Sequence, residues 1–69
     1  MQYTVVIERA PNNFSAYVPD LPGCIATGAT REEVEKNIRE AIAFHLDGIR
    51  EDGDTIPQPT TQAALVDVA

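Results

Sequence analysis

His45 and Cys24 are the only histidine and the only cysteine of the chain, and the remaining candidates for chemistry are its acids. Nucleophilic or acid–base work needs a reactive group with a base or a second carboxylate beside it. Val34, Ile38, Ala41, Ile42, His45 and Ile49 recur at spacings of three and four, so His45 falls within one apolar helical stripe. There it reads as a core-edge histidine hydrogen-bonded to a neighbour. Cys24 borders a strand without a base nearby in sequence and reads as a small buried hydrophobe. Glu8 and Asp20 can in principle share a metal, but nothing in their spacing forces it, and His45 with Cys24 falls short of a four-ligand framework. Glu32, Glu33 and Glu35 crowd the first turn of the same helix, where the helix dipole favours negative charge. Gly23 and Gly28 are too far apart for a phosphate loop, and no basic helix or aromatic–basic interleaving suggests RNA binding. No catalytic residue, metal or cofactor is therefore expected.

The elements that must position these groups follow from local patterning. Residues 2–9 are rich in β-branched and aromatic side chains and read as a strand, with Tyr3, Val5 and Ile7 on one face. Ala10-Pro11-Asn12-Asn13 is turn chemistry. Phe14 to Val18 pairs back as a second strand, with Phe14, Ala16 and Val18 on one face. Cys24 to Thr27 is a third, short strand ended by Gly28. Thr30 with Glu33 three residues later is the capping-box pattern, and it opens a helix from Arg31 to about Asp52. Glu32–Lys36 and Glu35–Arg39 are spaced to form ion pairs with the acid first. Gly53 is the expected residue after the C-cap, and Pro57 prevents continuation. Ala63 to Val68 is a weaker apolar run, read as a final strand that the helix returns beside the first one. The fold class is thus α+β, in the order β-β-β-α-β: a small mixed sheet with one long helix packed on one face. Residues 1–69 form a single domain.

Between the second and third strands lies Pro19-Asp20-Leu21-Pro22-Gly23-Cys24. Its prolines fix φ and withhold donors, and Gly23 admits positive φ. The segment reads as a stiff corner that presents one exposed acid, Asp20, and one apolar residue, Leu21.

Bulk properties narrow the function classes. The formal charge is −6, from eleven acids and five bases, with a pI near 4.4. That opposes a nucleic-acid surface and suits a basic partner or simple solubility. A hydrophobic content of 43% excludes a disordered tail,. No stretch approaches the ~18 apolar residues of a membrane span, and the N-terminus lacks a signal-peptide pattern. An unpaired thiol with no signal peptide points to the cytoplasm. A domain this small buries only roughly 60% of its unfolded surface and usually needs a staple. Disulfides and metals being excluded, self-association is the expected one, as a dimer or tetramer.

Tyr3-Thr4-Val5-Val6-Ile7-Glu8, then Phe14 to Cys24 with its Pro-Asp-Leu-Pro-Gly-Cys element, then Gly28-Ala29-Thr30-Arg31-Glu32-Glu33, together resemble the HicB-like antitoxin family. Glu40-Ala41-Ile42 and Asp52 to Pro59 extend the resemblance over nearly the whole chain. It implies a partial RNase H-like fold that self-associates, and a HicA-like mRNA interferase toxin as partner, neutralised by occlusion of its active surface. Many members add a C-terminal DNA-binding module. This chain reaches only Ala69, and direct DNA binding is not expected of it. Preorganised loops and exposed acids make good contact surfaces, so Asp20, Leu21, Glu32 and Glu35 are the candidate partner-binding residues. A stand-alone oligomeric module with another ligand is the alternative reading, and a metal-dependent nuclease remnant a third.

Overall fold

Alternation and turn chemistry produce a three-stranded meander that leads into one helix. The computed structural model describes all 69 residues. Strand β1 spans Val6–Arg9, β2 Phe14–Tyr17 and β3 Ile25–Gly28, and helix α1 spans Arg31–Glu51. The sheet order is β1-β2-β3, and both pairings are antiparallel. Ile7 faces Ala16 across the first pair, and Ala16 faces Ala26 across the second. The hairpin turn closes where the Ala10 amide donates to the Asn13 carbonyl at 2.9 Å.

The corner between β2 and β3 is two consecutive β-turns that share Leu21. The Leu21 amide donates to the Val18 carbonyl, and the Cys24 amide donates to the Leu21 carbonyl, each at 3.0 Å. In the second turn Pro22 holds the first central position and Gly23, with φ of 84°, the second. That is a type II turn, in which glycine is the residue that fits the positive φ. The turns return the chain so that the Val18 amide donates to the Cys24 carbonyl at 3.2 Å.

Helix α1 starts as its sequence dictates. Thr30 Oγ1 accepts from the Glu33 amide at 3.1 Å, while Glu33 Oε1 accepts from the Ala29 amide at 3.0 Å, one residue before the usual partner of a capping box,. At the far end Gly53 takes φ of 73°. The Asp54 amide donates to Ile49 and the Gly53 amide to Arg50, each at 3.1 Å. These are the two bonds of a Schellman motif.

The helix packs on one face of the sheet, where Ala16, Val18, Leu21, Cys24, Val34, Ile38 and Leu46 form the buried core. Leu46 completes the apolar stripe and lies deeper than His45, which is half-buried at its edge. Gly28 is required here by space: a Cβ on it would sit 2.6 Å from the Val34 amide nitrogen. The helix entry and β3 touch backbone to backbone.

Two expectations are corrected. The first strand begins at Val6, not Gln2, because β2 runs out of donors. The Thr4 position would next face Pro19, which has no N–H to give. The final strand is not formed: Ala63 to Val68 belongs to no strand, so the sheet is wholly antiparallel rather than mixed. The chain does return beside the first segment, but by side-chain bonds instead of a ladder. The Tyr3 hydroxyl donates to the Pro57 carbonyl. Thr4 Oγ1 donates to the Thr61 carbonyl at 2.8 Å.

Candidate partner-binding surface

The rigid corner is built inward. Leu21 has 0% of its surface exposed and is among the most deeply buried side chains of the protein. Its expected role as an exposed anchor is overturned, because the double turn folds the side chain under itself onto α1. Cys24, on the same corner, is also buried, and burial pushes its thiol above the ordinary value,.

Asp20 is half-buried and committed within its own chain. Its Oδ2 accepts from the Thr60 and Thr61 amides, both at 3.1 Å. Its Oδ1 accepts the two hydroxyls, at 3.1 Å from Thr60 and 2.9 Å from Thr61. The Thr61 amide above all holds this carboxyl below its usual range, against a smaller opposing effect of desolvation. Asp20 is thus a clamp on the C-terminal segment rather than a free acid. The sequence alone does not single out Thr60 and Thr61, since nothing local marks a contact 40 residues away.

Glu32 and Glu35 are exposed on the first turns of α1. Glu35 does not reach Arg39, and Glu32 does not pair with Lys36. Glu35 Oε1 instead meets Arg31 Nε at 3.0 Å. Helical side chains lean toward the N-terminus, which directs Glu35 one turn back. Both partners are about half exposed, so the pair contributes little stability. The sequence-predicted residues therefore divide: Glu32 and Glu35 share an exposed acidic turn, while Asp20 and Leu21 are structural.

An open groove of about 1000 Å³ runs between the start of β1, the helix and the returning tail. Val5, Ile7, Ile38 and Ile42 form its apolar side, and Arg31, Glu35 and Arg39 its charged side. Elsewhere, Tyr17 and Ile25 are cross-strand partners on the outer face of the sheet and are 41% and 70% exposed. Phe44 projects from the outer side of the helix at 83% exposure. No group of three or more His, Cys, Asp or Glu side chains is placed to hold a metal ion. His45 makes no hydrogen bond with a carboxylate or with Cys24. The exposed acidic turn, the open groove and the exposed Tyr17, Ile25 and Phe44 offer surface for contact with a macromolecule.

Comparison with known proteins agrees with that reading. Residues 3–68 match the family model described as the HicB-like antitoxin of bacterial toxin–antitoxin systems. An uncharacterised 14.9 kDa protein of Haemophilus phage HP1 is 40% identical over 58 residues, covering 84% of this chain and 44% of its own length. Antitoxin HicB 2 of Photorhabdus laumondii is 33% identical over 69 residues, covering 99% of this chain and 50% of its own length. The chain thus spans about half the length of these two relatives. Among solved structures, a chain of the HicA3 and HicB3 toxin–antitoxin complex superposes with a TM-score of 0.73 at 32% identity, covering 87% of this chain and 70% of that one.

Proposed function

We propose, from the premise that this chain belongs to the HicB-like antitoxin family, that it neutralises a HicA-like mRNA interferase by covering the toxin's active surface. The observation that carries the proposal is the likeness, at 32% identity, to a chain solved in a complex of HicA3 with HicB3. The electrostatics support it. A toxin that holds RNA must be basic, and a chain of net charge −6 is drawn to such a surface while being repelled by nucleic acid,. The family is one of antitoxins, in keeping with a binding role rather than catalysis.

On this reading the exposed acidic turn, Glu32 and Glu35, faces the toxin. Asp20 and Leu21 serve from behind by holding the corner and tail rigid, which limits the entropy lost on binding. On the same reading the meander and helix are taken as the β-β-β-α part of an RNase H-like frame. No helix is long and apolar enough to cross a membrane, and an mRNA-cleaving partner places the encounter in the cytoplasm. The core of seven side chains is small, so we also read the protein as self-associating,.

Co-expression with the adjacent reading frame, followed by pull-down and an RNA-cleavage assay, tests the proposal. The expected result is a stable complex in which cleavage stops. A neighbour that cleaves RNA in the presence of this protein, or no binding neighbour, overturns it and leaves an oligomeric module with another ligand.

A further inference from the structure

The segment Ala63 to Val68 has the composition of a strand and no place in its own fold. Leu65, Val66 and Val68 are 103%, 78% and 88% exposed. The radius of gyration is 13.5 Å, against about 11 Å for a compact domain of this length. The principal extents of 46 × 27 × 17 Å show the same elongation. The tail is moored where Asp20 and Thr4 hold Thr61, and beyond the groove-lining Ala63 it stands clear of the body.

One sheet edge is open and complementary to it. The Ala10 amide bonds to Asn13, so bonded pairs alternate along the hairpin and the backbone groups of Val5, Ile7 and Arg9 point away from β2,. The inward side chains of Val5 and Ile7 line the groove beside that edge. The other edge is blunted, because Asn37 Nδ2 donates to the outward carbonyl of Thr27 at 2.8 Å. Arg39, on the groove wall, makes no ion pair within the chain, and the arm carries an acid, Asp67.

We propose that Ala63–Val68 of one copy adds as a fourth strand to the free edge of β1 in a second copy, with the reciprocal exchange completing a two-fold dimer. The inference rests on the self-association reading above and is independent of any toxin. An arm that leaves its own body while its apolar side chains stay solvated is the geometry of exchange between protomers. Strand addition satisfies the open backbone groups of β1, and the groove receives alternate arm side chains. Asp67 is carried toward the partner's groove wall, where Arg39 is without an ion pair.

The test uses the full chain and a Leu65→Pro/Val66→Pro double variant, which removes adjacent donors so that one faces the edge in either register. Light scattering should give twice the 7.5 kDa chain mass for the parent and half that value for the variant. Hydrogen exchange should show the Val5, Ile7 and Arg9 amides protected in the parent and unprotected in the variant. The variant should keep its helix, since the arm makes no core contact. A monomeric parent overturns the proposal. So does an assembly that survives the double substitution, or protection that persists in a monomer through docking of the arm on its own chain. Toxin binding is read separately by pull-down, so failure of the strand exchange and failure of the antitoxin reading are told apart.

Discussion

The Asp20 carboxylate accepts both the amide and the hydroxyl of Thr61, at 3.1 and 2.9 Å, across a sequence separation of 41 residues. Thr60 supplies a second such pair. One side chain therefore ties the corner between β2 and β3 to the segment that leaves the helix. The tail's own backbone donors are satisfied there without a sheet ladder. This clamp also fixes where the projecting arm begins.

The clamp makes stability depend on pH. Four donors favour the ionised form, so the folded carboxyl lies below its ordinary 3.8,. The stability it supplies is complete above that ordinary value and is lost as pH falls through the depressed folded one. Urea midpoints should show Asp20→Asn below the parent at neutral pH, with the gap closing at acid pH. A constant gap at every pH would deny the charge its role.

Leu21→Ala should cost about 2–5 kcal/mol, the range for truncating a buried leucine. For a chain of this size that is much of the total stability. Denaturant unfolding measures it. Unchanged stability with lost partner binding would restore Leu21 to the role of an exposed anchor.

Gly28→Ala places a methyl 2.6 Å from the Val34 nitrogen and 2.9 Å from its Cα. Backbone must move, so a loss of about 1–3 kcal/mol is expected. Thr30→Ala, which removes the cap on the Glu33 amide, should cost about 1 kcal/mol. Additive costs in the double variant would place clash and cap in separate contacts, whereas strong coupling would mean that β3 and the helix start yield together.

The Cys24 thiol is 3% exposed, and burial raises its pKa. Alkylation at mildly alkaline pH should be slow in the native protein and fast once urea unfolds it. Rapid native labelling would show that the corner opens without global unfolding.

Glu32→Gln and Glu35→Gln should leave the fold intact and slow association with a basic toxin, with a weaker salt dependence of the on-rate. Stopped-flow binding at two ionic strengths reads this directly. Rates unchanged in both variants would move the contact surface away from the helix start.

What the sequence determined by itself was local. The Pro22-Gly23 turn, the Thr30 and Gly53 helix ends and the hairpin turn each depend on side chains within a few residues, and all appear as expected. The HicB-like pattern was legible in the same way, as contiguous motifs. Tertiary structure alone decided which way the corner points. Leu21 is buried because α1 lies beneath the double turn, and Asp20 is occupied because Thr60 and Thr61 arrive from the other end of the chain. It also decided the fate of the last apolar run. Ala63 to Val68 has strand composition, but a strand exists only where an edge receives it, and within one chain the tail is tied off at Thr61 before any ladder begins. Periodicity states what a segment can become; the long-range bonds that moor its ends determine whether it does.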